Sequence, residues 1–189
     1  MSSKLRAECG RFRLSLALSL TTAGLIGVGM ASALAQTPST SHVVTRAYLM
    51  SGFGDAGTGA MNTMGAKLRA HGIIVTVGSY TQADAFAADA CAHSKDRIIV
   101  VGYSLGATAG AQLATAARAC GVHYVRLVGI DPLGSSAAVS SGVSATNFVG
   151  ALQGTISGAR NTAAPGYDHA GIINSPRMQA RFVAAALSH

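Results

Sequence analysis

The stretch Arg97-Ile98-Ile99-Val100-Val101-Gly102-Tyr103-Ser104-Leu105-Gly106 decides the fold. Its apolar run is short, continuous and β-branched, as in a strand buried on both faces. Residues 105–120 follow as an Ala-rich helix that Gly121 stops. Gly102, Ser104 and Gly106 therefore sit on a sharp strand-to-helix turn. A residue at such a turn has a strained backbone, and side chains two positions before and after it would collide with the neighbouring helix and strand. Glycine at 102 and 106 removes those side chains. The turn also puts Ser104 at a helix amino terminus, where free N–H groups favour developing negative charge.

Outward from this stretch, strands and helices alternate. Residues 42–50 form an apolar strand ended by Ser51-Gly52-Phe53-Gly54. Residues 60–70 carry Met61, Met64 and Leu68 at helical spacing before a stop at His71-Gly72. A strand over 73–77, a helix over 81–93 and a strand over 124–130 follow, the last cut off by Asp131-Pro132. Beyond it, residues 134–144 read as a loop able to form a small flap. Residues 147–152 read as a strand, with Thr155-Ile156 near its end, and 161–168 as a loop or short edge strand. Ser175-Pro176 opens a final helix with Met178, Phe182, Val183, Ala186 and Leu187 on one face. The pattern predicts an α/β fold, with a mostly parallel sheet of about five to six strands and helices on both faces. One domain covers residues 42–189. In such sheets ligands bind outside the carboxyl ends of the strands.

The 189 residues carry 14 Lys+Arg against 7 Asp+Glu, a formal net charge of +7. Lys4, Arg6, Arg11 and Arg13, with Glu8 as the one acid among them, precede an apolar run over 14–30. Small residues then stand at Ala33 and Ala35. Residues 1–35 thus read as a secretory signal peptide, and 36–41 as a polar leader. An uncleaved membrane anchor is the competing reading of the apolar run. With cleavage near Ala35 the protein is secreted or periplasmic and has no stable membrane span. Much of the basic excess leaves with this segment, which argues against a nucleic-acid partner. A hydrophobic content of 49% and a charged content of 11% exclude disorder. There is no Trp for a sugar-stacking platform. After cleavage Cys91 and Cys120 remain, and an even count in an exported chain favours a disulfide, against two buried thiols. Neither lies among His or Asp at metal-ligand spacing, so no metal is expected.

A serine hydroxyl needs a base within hydrogen-bond reach to act as a nucleophile. His71, His93 and His123 stand just before strands or at helix carboxyl ends, and His42 opens the first strand. All four belong to the sheet edge opposite Ser104. His189 is the terminal residue. His169 follows the last sheet-like segment and is the one histidine in a loop at the correct edge. After Ser104 the acids are Asp131 and Asp168. Asp168 is adjacent to His169, and neighbouring side chains diverge. Asp131 ends a strand at the edge that carries Ser104.

With Gly102-Tyr103-Ser104-Leu105-Gly106, Leu127-Val128-Gly129-Ile130-Asp131-Pro132 and His169 before a terminal helix, the chain resembles the α/β-hydrolase family in its small secreted lipase/esterase-like forms. The resemblance covers most of residues 43–187 and implies a reduced α/β-hydrolase fold. It implies a Ser, Asp, His triad in that chain order, here Ser104, Asp131 and His169. It also implies an oxyanion hole from two backbone N–H groups, those of Leu105 and Phe53. Ser51-Gly52-Phe53-Gly54 resembles the family's HGxxG loop, with Ser51 where His is usual. In the family fold the helices ending at Cys91 and Cys120 share one face, which suits a bridge between them. The implied activity is cleavage of carboxylic ester or thioester bonds in a small-molecule acyl substrate, through an acyl-enzyme on Ser104 and without a cofactor. An acyltransferase with the same triad, or a non-enzymatic binding protein on a hydrolase scaffold, are the alternatives. Product analysis with added alcohol and labelling by an active-site probe separate them. Oligomeric state is open.

Overall fold

The computed structural model describes residues 43–134 and 137–188. The expected signal peptide and polar leader, along with His42 and His189, lie outside the described residues. The elements are β1 (Thr45–Ser51), α1 (Thr58–Arg69), β2 (Ile74–Ser79), α2 (Ala83–Ala92), β3 (Arg97–Tyr103), α3 (Leu105–Ala119), β4 (Tyr124–Ile130), β5 (Ala137–Ala138), β6 (Val143–Val149), β7 (Ile156–Ser157), β8 (Arg160–Ala163), α4 (His169–Asn174) and α5 (Pro176–Leu187).

Six strands form one sheet in the order β2-β1-β3-β4-β6-β8, and every neighbouring pair is parallel. β3 is therefore interior, with β1 and β4 on either side. The period of two in a strand sends alternate residues to opposite faces. Leu49, Ile99, Val101, Val128 and Ile130 face α1 and α5, packing with Met61, Met64 and Phe182. Tyr48, Met50, Ile98, Val100 and Leu127 face α2 and α3, packing with Phe86 and Leu113. The α/β class and the helices on both faces are as the sequence predicts. The sheet has six strands and is parallel throughout.

The early strands and helices begin and end within a few residues of the expected bounds, but the region after Pro132 departs from the reading. Residues 134–144 are not one loop. Ala137–Ala138 pairs with Ile156–Ser157 in a separate two-stranded ladder, and β6 already begins at Val143. β6 ends at Val149 rather than 152, and Ile156 belongs to that small ladder instead. These segments have little apolar periodicity because short strands bury few side chains. Residues 160–163 form the edge strand β8. Ser175 caps α5 by accepting a hydrogen bond from Met178 N–H, with Pro176 in the first turn.

Cys91 and Cys120 form a disulfide, with Cα atoms 5.7 Å apart. It joins the carboxyl ends of α2 and α3, at the sheet edge where β3 begins. No helix among the described residues is long and apolar enough to cross a membrane.

Candidate active site

The carboxyl ends of β1, β3, β4 and β6 converge on Ser104, Asp131 and His169. Ser104 links β3 directly to α3 with φ 57° and ψ −124°, a left-handed conformation that a non-glycine residue adopts only where its surroundings fix it. Its N–H donates to Ile130 O at 2.9 Å, and its carbonyl accepts from Ala107 N–H at 2.9 Å. The flanking glycines are sterically required. A Cβ at Gly102 would lie 2.1 Å from Gly106 O, and one at Gly106 would lie 2.3 Å from Met50 O. Gly52 is a third close approach, since a Cβ there would sit 2.9 Å from Ser104 Cβ. Ser104 is 8% exposed, and no hydrogen bond of its Oγ is present among the described residues.

Asp131 is fully buried and also left-handed, with φ 44°. Its N–H donates to Phe148 O at 2.8 Å, which anchors the bend after β4 to β6. Its carboxylate accepts from Gly150 N–H at 2.9 Å, from Leu152 N–H at 3.2 Å and from His169 Nδ1–H at 2.8 Å. A Cβ on Gly150 would come within 2.9 Å of Asp131 Cγ, so glycine lets the β6 end close over the acid.

His169 is the first residue of α4 rather than a loop residue. Asp168 caps the short helix by accepting from Gly171 N–H, and so is engaged elsewhere than on the imidazole. With Nδ1–H donated to Asp131, the neutral ring presents Nε2 as an acceptor. Tyr103 packs on the same ring, with centroids 4.7 Å apart and planes at 22°, and its hydroxyl donates to His169 O at 2.9 Å. Burial first, and then the Asp131 and Asp168 charges, push the Tyr103 phenol up to about 12, so it stays a neutral donor.

Leu105 N–H opens α3 and has no partner within the helix. Phe53 opens a 3-10 turn over Phe53–Asp55, and its N–H is likewise left over by the turn. Phe53 as a whole is 74% exposed. Gly52 N–H, by contrast, donates to Ala56 O at 2.9 Å. Asp131 and His169 are thus joined directly. Ser104 is their neighbour through Tyr103, and no Ser104–His169 hydrogen bond is present among the described residues. His71 lines a cavity of about 380 Å³ at the opposite edge with Thr45, Arg97 and Tyr124, while His93 Nδ1 lies 2.8 Å from Asp89 O of its own helix. No group of three or more His, Cys, Asp or Glu among the described residues could hold a metal ion.

Among solved structures, the chain is similar to a candidate hydrolase of the alpha/beta superfamily from Xanthomonas campestris pv. campestris. The TM-score is 0.46 and the identity 13%, over 75% of this chain and 94% of the other. No family model matches the chain, and no curated protein matches it.

Sequence reasoning did not find Tyr103, Gly150 or Leu152. Tyr103 is visible as the residue before the serine, but nothing in the sequence ties it to a residue 66 positions away. Gly150 and Leu152 act through backbone N–H groups, which leave no residue-type signal.

Proposed function

We propose that this chain is an exported serine hydrolase that cleaves carboxylic ester or thioester bonds through an acyl-enzyme on Ser104. The observation that carries the reading is the 2.8 Å hydrogen bond from His169 Nδ1–H to the buried Asp131, at the sheet edge where Ser104 occupies its left-handed turn. A buried carboxylate aimed at an imidazole fixes its tautomer and stabilises the imidazolium that forms on proton uptake. Ser104 Oγ attacks the acyl carbonyl while His169 Nε2 takes its proton. The carbonyl oxygen becomes an oxyanion bound by the Leu105 and Phe53 N–H groups. Collapse breaks the ester bond, and His169 returns the proton to the departing alcohol or thiol. Water then repeats the sequence on the acyl-enzyme, releasing the acid and restoring the Ser104 hydroxyl. Serine–histidine hydrogen bonds in substrate-free enzymes are often long and tighten only in the substrate complex. The Cys91–Cys120 bridge supports an oxidising compartment, consistent with the signal peptide read over 1–35.

A fluorophosphonate probe tests the reading. Covalent labelling of the folded protein, abolished in Ser104→Ala, is the expected result. A folded wild-type protein that remains unlabelled overturns it. A panel of acyl esters and thioesters graded by chain length then defines the substrate, and the mass of the exported chain reads whether it begins at Gln36.

A further inference from the structure

The geometry points to Tyr103 as the positioning residue for His169, a two-point clamp that holds both the ring plane and the backbone of the base in register with the nucleophile's own strand. The inference rests on the hydrolase reading of Ser104 and His169. Three observations carry it. The Tyr103 ring stacks on the imidazole at 4.7 Å, which fixes the ring plane. Its hydroxyl donates to His169 O at 2.9 Å, which fixes the main chain. Its own freedom is removed, because it is 2% exposed and lies against Gly57, where a Cβ would come within 2.8 Å of Tyr103 Cδ1. Gly57 has φ +84° and so favours glycine on backbone grounds as well.

His169 needs such a clamp. It opens a helix of six residues that follows a loop containing Pro165 and Gly166, and its side chain is 31% exposed. The hydrogen bond to Asp131 leaves the imidazole free to pivot about the Nδ1–Oδ2 line. Stacking removes that pivot and leaves Nε2 pointing in one direction. Tyr103 directly precedes Ser104, so any shift of β3 carries nucleophile and base together. Both groups then keep the spacing that proton transfer requires.

The test compares Tyr103→Phe, which keeps the ring, with Tyr103→Leu, which loses ring and hydroxyl. Phe86→Leu serves as a control for loss of a buried aromatic on the opposite sheet face. One readout is the rate of fluorophosphonate labelling and of ester turnover. The other is the low-field NMR resonance of the His169 Nδ1 proton, which does not depend on activity. Tyr103→Phe is expected to slow labelling about fivefold, the weight of one hydrogen bond, with the resonance retained. Tyr103→Leu is expected to slow labelling and kcat about a hundredfold, with KM unchanged and the resonance lost to solvent exchange. Tyr103→Leu that keeps the resonance and reacts within about twofold of Phe86→Leu overturns the clamp. So does Tyr103→Phe at the wild-type rate, a result that stands even where Tyr103→Leu fails to fold. If the wild-type protein resists the probe, the hydrolase reading fails by itself, and the resonance still decides whether Tyr103 holds His169.

Discussion

Gly106 and Gly59 are both helical glycines, and their surroundings predict opposite responses to alanine. At Gly106 a Cβ would meet Met50 O at 2.3 Å and Ser51 O at 2.7 Å, both backbone atoms of an interior strand that cannot move aside. Gly106→Ala is expected to cost about 3 kcal/mol or more, or to prevent folding. At Gly59 nothing lies within 4 Å, so Gly59→Ala should stabilise by about 0.5–1 kcal/mol through the unfolded chain. Urea midpoints of the two variants measure both outcomes. Equal responses would mean that the turn at Ser104 is looser than its geometry requires. Asp131 is specified as tightly. Three N–H groups point at its carboxylate, from Gly150, Leu152 and His169. An amide has one acceptor oxygen, so in Asp131→Asn the NH₂ group must face one of those donors. Turnover is expected to fall about 10⁴-fold, through the wrong imidazole tautomer, while fluorophosphonate still finds Ser104 slowly. Turnover within about tenfold of wild type would remove Asp131 from the mechanism.

Among the elements, α3 separates the chemistry from the bridge. It runs from just after Ser104 to just before Cys120, so its 15 residues put about 22 Å between the two. The bridge closes a sequence separation of 29 residues. Its removal in the double variant Cys91→Ser/Cys120→Ser is expected to cost about 3 kcal/mol by denaturant titration, with the ester turnover number unchanged. A parallel fall in turnover would show that strain at the helix end reaches Ser104. The same elements show what a sequence makes legible. β3 and β4 are buried on both faces, so their apolar runs announce them, and α5 carries both a capping serine and Pro176. The candidate serine, acid and base were legible because a parallel sheet sorts residues by edge. The β5–β7 ladder and α4 were not legible, since two-residue strands and a six-residue helix are held by hydrogen bonds rather than by a buried stripe. Asn161 illustrates this, as its side chain bonds Ile156 N–H and Ile156 O and ties β8 to β7, a cross-link with no periodicity behind it.

At the scale of the whole molecule, tyrosines tie the helical layers to the sheet, and the shifts of their phenols predict a fold sensitive to alkali. Tyr48 OH donates to Asp89 of α2 at 2.6 Å, while Tyr103 OH donates to His169 O of α4. Burial, followed by the hydrogen bond to Asp89, pushes the Tyr48 phenol well above its ordinary range, and Tyr103 is pushed up to about 12. Tyr124 goes the other way. Burial raises it, but hydrogen bonds from Arg126 and Arg97 and their positive charge together outweigh burial and lower it. The sign follows from proton counting. An unfolded tyrosine ionises near pH ~10. Above that pH the unfolded chain has lost protons that folded Tyr48 and Tyr103 keep, so the folded state binds more and stability falls as pH rises. The contribution of Tyr103 is fully present below pH ~10 and is lost by pH ~12, while that of Tyr48 extends the loss further. Tyr124 opposes the trend, as one group against two. Urea midpoints of the protein should therefore decline between pH ~9.5 and ~12, in step with phenolate absorbance near 295 nm. In Tyr48→Phe/Tyr103→Phe the decline should flatten, even though the variant starts from a lower stability at neutral pH. An unchanged slope in that variant would mean that these two phenols do not couple the helices to the sheet, and that alkaline unfolding has its origin elsewhere in the chain.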